Sequence, residues 1–418
     1  MKIYNRIILF FLCVTAAVAV YAESPTMSPY SKFGYGMLND NATSAQKAMG
    51  GVGYALNNGR QINAMNPASY AAMDSLTFLW DVGATCSNLW SREQGVDGKA
   101  NTSSSTGGGL DYITMQFPIT KWMGASVGLV PFTSVGYSFG KEVSHGISSH
   151  SGFGGLNQLY LGLSARPFNN FTVGANIGYI WGHTVNDVYA TTNAGTTSLF
   201  ERVVRVRDYN LTLGIQYDID INENNKLTLG VVYNPEKRIH GKTWGAYYDM
   251  DSDSDPDTVG YQRLGKNYSM PNTFGGGVAY VFQKRFTAAL DFTYQDWSNA
   301  KFGTIEGFEE TKFDNRWKLA AGVEYMHNPR GNYWQRIAFR CGGYYNHDYI
   351  NVKDNNVREF GVAVGFGLPT PSTKTVINIG FEYKHRATTP ADLITEDYFN
   401  ITLGINFNEM WFWKNKIQ

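Results

Sequence analysis

From Ser75 to Phe407 the chain is written in short segments whose apolar residues fall at every second position, with glycine, threonine and asparagine between them. A period of two points successive side chains to opposite faces of a β-sheet. In Phe171 to Trp181 one face carries Phe171, Val173, Ala175, Ile177, Tyr179 and Trp181, and the other carries Thr172, Gly174, Asn176 and Gly178. Phe286, Ala288, Leu290, Phe292 and Tyr294 oppose Thr287, Asp291, Thr293 and Gln295, while Ile401, Leu403, Ile405 and Phe407 oppose Thr402, Gly404 and Asn406. A soluble β-sandwich also alternates, but its outer face is charged and solvated. Here the polar face is filled mainly with glycine, threonine and asparagine, so the apolar face is turned outward, and the medium that accepts it is lipid.

The segments number about fourteen, at roughly 75 to 90, 107 to 119, 122 to 139, 154 to 166, 170 to 186, 200 to 220, 226 to 240, 272 to 282, 286 to 297, 314 to 326, 334 to 346, 357 to 368, 375 to 386 and 398 to 407. An even count closes a ring, which predicts an all-β, 14-stranded antiparallel transmembrane barrel over 75–418. A ring also accommodates 418 residues more readily than one soluble core does. Short connections at Pro118 to Lys121, Pro167 to Asn169, Ile221 to Asn225 and Gln283 to Arg285 alternate with long ones at Trp90 to Thr106, Asp187 to Leu199 and His240 to Pro271. In outer-membrane barrels the short turns face the periplasm, which predicts both chain ends there. After the first 22 residues no run of eighteen apolar residues occurs, so helical membrane spans are excluded. Trp122, Trp181, Trp297, Trp317 and Trp334 fall at or near strand ends, the place of an interfacial girdle, and Trp411, Phe412 and Trp413 read as a further anchor.

Met1 to Ala22, with Lys2 and Arg6 ahead of the apolar run Ile7 to Val20, reads as a secretory signal peptide. Cys13 lies inside that run rather than at the cleavage end, which argues against a lipid-modified amino terminus. The remainder has 33 basic and 35 acidic residues, a formal charge of −2 that gives no electrostatic case for nucleic acid. Cys86 and Cys341 each fall within a segment; one bridge between them is possible, and no disulfide framework exists. The histidines show no zinc spacing, and the chain calls for no metal or cofactor.

Between the signal peptide and the first strand lies a stretch, 23–74, that is too small to fold alone and requires a concave neighbour. It holds SAQKAMGGVGYAL, with Gly50 and Gly51, and INAMNPASYAAMD, in which Asn66, Pro67 and Ala68 make a helix start: an N-cap acceptor followed by proline at the first helical position. It reads as a plug for the lumen. The order of a Gly-Gly pair, an NPA tripeptide and the first strand resembles the amino-terminal hatch of the FadL-type outer-membrane transporters of hydrophobic compounds. The resemblance continues at MPNTFGGGVAY (Met270 to Tyr280), INIGFEY (Ile377 to Tyr383) and YFNITLGINF (Tyr398 to Phe407), so it spans nearly the whole mature chain. It implies an outer membrane of a Gram-negative bacterium, partners that are hydrophobic small molecules or lipids, and passage by hatch movement and a lateral opening in the wall.

Pro131, inside the third segment, removes a ladder donor and should bend or unpair the sheet. In the resembled family a kink of that strand opens the wall; a bulge near the rim is the other reading. Asp291, Glu324, Arg340 and Glu382 fall on the inward face, tolerable only in a lumen. Glu324 and Arg340 lie on consecutive strands and can pair, and the four are expected to hold the plug, against Lys47 or Arg60. Gly124-Ala125-Ser126-Val127-Gly128 matches G-x-S-x-G but runs on into Leu129 and Val130, so it is a strand face rather than a nucleophile elbow, and no enzymatic constellation emerges. The alternating carboxylates Asp249 to Asp257 lack the glycine and closing glutamate of an EF-hand loop and read as a solvated loop, with calcium binding the lesser reading. A second class of function stays open: a non-transporting barrel serving as a structural or partner-binding subunit of an outer-membrane assembly or secretion complex, alongside other outer-membrane or periplasmic proteins.

Overall fold

The computed structural model describes residues 27–74, 77–94, 100–143, 146–194, 196–250, 257–264, 268–303, 311–370 and 374–410. Fourteen antiparallel strands form the wall: β1 (Thr77–Gln94), β2 (Ala100–Thr120), β3 (Met123–Val143), β4 (Gly146–Phe168), β5 (Phe171–Thr192), β6 (Thr197–Asn222), β7 (Asn225–Asn234), β8 (Thr273–Phe282), β9 (Phe286–Gln295), β10 (Arg316–Met326), β11 (Ala338–Val352), β12 (Asn355–Pro369), β13 (Val376–Thr389) and β14 (Ile394–Met410). Each pairs with the next, and β14 returns to β1 in continuous register from Thr77↔Met410 to Glu93↔Ile394. All fourteen expected segments are strands of this ring. The signal-peptide stretch, the Trp411 to Trp413 anchor and most of the Asp249 to Asp257 run lie outside the described residues.

The alternation sorts the faces as the sequence predicts. Leu161, Ile177, Val231 and Val362 stand outward, 56 to 60% exposed, while Thr172, Asn176, Gln216 and Thr402 between such residues are buried inside. An apolar surface of this extent around a closed ring is a lipid-facing surface. Cys86 and Cys341 are both on it, exposed and unbridged.

Two expectations change. The long connections are not loops: β1 and β2 stay paired to Gln94↔Ala100, β5 and β6 to Thr191↔Thr197, and a hairpin of Gly241–Met250 with Asp257–Leu264 continues the edge of β6 from Gly241↔Val206. The paired strands there run on, so the wall rises well past the roughly ten residues per strand that cross a bilayer. Trp297 is not an interfacial anchor. It is 1% exposed, stacked on Tyr349 at 4.3 Å between ring centroids, in an internal aromatic cluster with Tyr35, Phe302 and Phe313. Trp122 and Trp334 are exposed, as a girdle requires.

Inside the ring lies the leading segment, 27–74. Val52, Ala68 and Tyr70 in it have no accessible surface at all. It carries three short helical turns, the 3₁₀ turn Pro29–Lys32, Ser44–Lys47 (α1) and the 3₁₀ turn Pro67–Ala72. The glycines of the inner wall are explained by it: a Cβ on Gly124 would stand 2.1 Å from the Tyr70 carbonyl oxygen, on Gly230 2.0 Å from that of Tyr54, and on Gly322 2.1 Å from that of Met49. The wall is smooth where backbone meets backbone.

Candidate functional site

Strands β2 and β3 are paired only from Pro118 and Gly124 to Ile113↔Leu129, with a last contact at Thr120↔Met123. Beyond that point they separate. Ala100 to Leu110 continue on β1 alone, and Val130 to Val143 continue on β4. A slot therefore opens in the wall between Leu110 and Val130. Pro131 stands at its start, and the register of β3 on β4 slips by one residue between Pro131↔Asn157 and Thr133↔Leu156, leaving Phe132 as a bulge. Both readings of Pro131 hold together: it brings no N–H to the vacated edge, and the bulge turns β3 away from β2.

The vacated edge is taken by the leading segment. Met37 and Leu38 form a two-residue strand, antiparallel to β3, at Met37↔Ser134 and Leu38↔Thr133. Asn39 N–H donates to the Phe132 carbonyl at 3.1 Å and its side-chain amide to Ser134 Oγ at 2.8 Å. Ser31 Oγ accepts from Gly136 N–H at 3.0 Å and donates to the Gly136 carbonyl at 3.1 Å. Gly36, at φ +91°, makes the approach possible, because a Cβ there would lie 2.6 Å from the Ser134 carbonyl oxygen.

Across the slot, Lys47 at the end of α1 pairs with Asp111 at 2.9 Å. Asp111 is the extra residue of a second bulge, between Gly83↔Tyr112 and Ala84↔Leu110, which turns its carboxylate inward to accept also from Thr85 Oγ1. On the far wall Asp40 is held by Arg316 Nη2 at 3.4 Å and by Lys318 Nζ. Burial alone would raise the Asp40 carboxyl, but these two cations, Lys318 first, hold it well below the usual carboxylate range. Deeper, Asp291 accepts the backbone N–H groups of Gly53 at 2.6 Å and Tyr54 at 2.9 Å. At the long-hairpin end Ser28 Oγ donates to Glu396 Oε1 at 2.7 Å, and Arg386 Nη1 donates to Glu396 Oε2 at 2.9 Å. Tyr30 Oη donates to the Ile394 carbonyl at 2.5 Å, its hydroxyl pushed up to about 12 by burial and by Glu396.

Two cavities flank the strip 38–41. The one under the slot, about 190 Å³, meets Gly108, Leu110, Val130 and Pro131 and is otherwise strongly charged, with Asp111, Lys318, Glu359, Glu382, Lys384 and Arg386 on its walls. The other, about 150 Å³, is more apolar, with Phe132, Ile180, Val206, Leu211, Val232 and Trp297. Leu38, Asn39, Asp40 and Asn41 line both, so this strip is the partition between them.

The sequence-derived residues are distributed as follows. Asn66 caps its turn, its Oδ1 accepting from Ala68 N–H at 3.0 Å, with Pro67 first in the turn, and its side-chain amide ties the turn to the Tyr54 carbonyl at 2.7 Å. Gly50 and Gly51 take φ +74° and +81°, closing α1 through Gly51 N–H to the Gln46 carbonyl at 2.8 Å. Glu324 and Arg340 are cross-strand partners at 2.6 Å, and Arg340 also reaches Asn378 at 2.8 Å. Glu382 accepts from Asn400 at 2.7 Å. Of the four lumenal charges only Asp291 grips the leading segment, through backbone amides. Lys47 turns to Asp111 instead, because α1 packs against β12, β13 and β14, with Tyr112 of β2 accepting from Ser44 N–H at 2.8 Å. Arg60 is exposed on a turn begun by Asn58 Oδ1, away from all four. The pins that sequence reading missed are Asp40 and Asp111, with Ser28 and Tyr30; at the start of α1, Gln46 Oε1 accepts from Thr43 N–H at 2.8 Å. Ser126 lies within β3, bonded to the Met115 carbonyl at 2.8 Å, not on a strand-to-helix turn.

The family model described as BamG matches residues 3–418. No curated protein sequence matches. Among solved structures the chain is similar to a Pseudomonas aeruginosa FadL homologue (13% identity, 89% of this chain and 99% of that one, TM-score 0.66). It is also similar to the CymD monoaromatic hydrocarbon channel (13%, 90% and 99%, TM-score 0.62) and to the P. putida toluene transporter TodX (14%, 90% and 100%, TM-score 0.61). At such identities the likeness is one of fold.

Proposed function

Because the chain belongs to the BamG family and its barrel has the fold of the FadL-type channels, we propose that it is an outer-membrane barrel whose leading segment is a movable plug, passing small hydrophobic molecules sideways into the membrane. In this reading residues 1–22 are the export signal, 23–74 the plug and 75–418 the barrel, with the short turns in the periplasm. A molecule gathered among the long hairpins enters the apolar cavity, waits behind the partition 38–41, and leaves beside Pro131 when that strip lifts from β3. The observation that carries the reading is the seam itself: a two-residue strand is the least pairing that can close a wall, and only a few hydrogen bonds hold it. A lateral exit spares an apolar solute the aqueous gap beyond the membrane. The charged walls of the cavity under the slot favour solutes with a polar end over bare hydrocarbon.

Reconstituted vesicles test it with N-phenyl-1-naphthylamine, which fluoresces on entering lipid. Protein-containing vesicles should fill faster than empty ones, and Pro131→Ala, which restores an edge N–H, should slow them. Equal rates in empty, wild-type and Pro131→Ala vesicles would refute the proposal.

One observation favours the second reading, a non-transporting subunit of an outer-membrane assembly. The leading segment is tied to the wall at Ser28, Tyr30, Asp40, Lys47 and Tyr54, on every side of the lumen. Co-purification with other envelope proteins at fixed stoichiometry, together with no vesicle uptake, would select it.

A further inference from the structure

Above the lipid-facing band, one row of opposed residues crosses β4, β5, β6 and the hairpin of Gly241–Met250 with Asp257–Leu264: Ser151↔Asp187, Asp187↔Glu201, Glu201↔Ala246 and Ala246↔Tyr261. Directly opposed residues of an antiparallel sheet share a face. This row stands on the outer face, because Arg202, next to Glu201, points inward and donates to the Lys32 carbonyl of the leading segment at 3.2 Å. About ten residues of tilted strand from Phe171 reach the far side of the apolar band near Trp181, so Asp187 lies beyond it, at the level of water.

Two carboxylates directly opposite each other on a sheet destabilise it unless something neutralises them. Among the described residues neither Asp187 nor Glu201 forms an ion pair. The basic residues of the same face fall in other rows, Arg205 opposite Lys242 and Arg263 opposite Trp244. Burial, and after it the charge of Glu201, pushes the Asp187 carboxyl up to about 6, and no basic side chain pulls it back. Asp187 is only 9% exposed, yet its Oδ1 has no hydrogen-bond partner. An enclosed carboxylate oxygen without a donor, facing a like charge, calls for a cation. Tyr189 and Tyr248 stand in the next row of the same face, opposite Leu199, and burial followed by these two carboxylates raises both of their hydroxyls.

We propose that Ser151, Asp187 and Glu201 form a calcium site that ties β4, β5 and β6 together above the membrane. All the donors are hard oxygens: two carboxylates supply up to about four ligands, the Ser151 hydroxyl one more, and water the rest. Calcium suits this set better than magnesium because it accepts an irregular shell of about six to eight oxygens. With two carboxylates on an open sheet face, the site belongs with the weak extracellular ones, at about 10⁻⁴–10⁻³ M. Sequence spacing does not reveal it, since strand register alone brings Asp187 and Glu201 together.

Terbium luminescence on the full protein in chelator-free micelles tests this, because terbium takes the same oxygen ligands and emits when a neighbouring tyrosine is excited. The protein should sensitise terbium, and calcium chloride should quench the emission by displacement in the range given above. Asp187→Asn and Glu201→Gln should each weaken calcium binding by about tenfold or more. Both substitutions relieve a like-charge contact, so both variants should fold, which heat-modifiable mobility on gels checks. Replacing Asp251, Asp253 and Asp255 by Asn should leave the calcium-displaced signal in place. The proposal is overturned by absent emission, by displacement with potassium chloride of equal ionic strength, or by calcium affinity within twofold of wild type in both carboxylate variants. Loss of the signal in the triple Asn variant would also overturn it, assigning the ion to the acidic run of the hairpin.

Discussion

Asp40→Ala should loosen the partition. The substitution leaves Arg316 and Lys318, with side chains 7% and 9% exposed, facing each other without their shared carboxylate. Removing one partner from a buried ion pair costs about 3–5 kcal/mol. Asp40 itself is 34% exposed to the cavity, so water screens part of the interaction, and roughly 2 kcal/mol is a fair value after that discount. A shift of that size raises the detached population about thirtyfold. The assay is maleimide labelling of Ala42→Cys, a buried position one step past the partition, in a background where the exposed Cys86 and Cys341 are serine. When opening and closing are fast relative to labelling, the rate follows the open population. A roughly thirtyfold faster rate is expected, with Asp40→Asn between wild type and alanine. A change within about twofold would refute the claim that this ion pair holds the strip.

Acid should act on the same contact. A carboxylate held below its ordinary value stabilises the folded arrangement above about pH 4 and loses that contribution as pH falls further, so labelling at Ala42→Cys, divided by the rate of free cysteine at the same pH because the thiolate is the reacting form, should be flat from about pH 5 to 8 and rise below about 4. Asp291→Ala strips two buried backbone N–H groups of their acceptor, a cost of about 2–6 kcal/mol, and should detach the 53–54 turn while the barrel still forms, seen as retained heat-modifiable mobility on gels with increased proteolysis of the leading segment. Gly230→Val, which drives a side chain into the Tyr54 carbonyl, should give the same phenotype, whereas Gly276→Val, whose Cβ meets nothing within 4 Å, should be silent in the same proteolysis assay.

The barrel was legible because its physics is repetitive: every wall strand restates the same two-residue alternation, and errors at strand ends do not change the ring. The local signal of Asn66-Pro67-Ala68 was likewise readable, since a cap is a contact between near neighbours. What resisted reading was contact at long separation. Asp40 meets Lys318, and Lys47 meets Asp111, only because the leading segment crosses the lumen in one particular course, and no local pattern specifies that course. The bulge at Asp111 hid its direction as well, because strict alternation would put it on the same face as Ile113. Trp297 looked interfacial because a strand end is also where a chain can turn inward.

The central claim is that the edge of β3 vacated by β2 is covered by Met37 and Leu38, with Asn39 and Ser31 bonded beside them. The direct test is a lock on that seam. In the background free of Cys86 and Cys341, cysteines replacing Met37 and Ser134 occupy directly opposed positions, within the span a disulfide bridges. Uptake of N-phenyl-1-naphthylamine into vesicles should fall to the rate of empty vesicles when this pair is oxidised and rise again when it is reduced; equal uptake in both states would contradict the account.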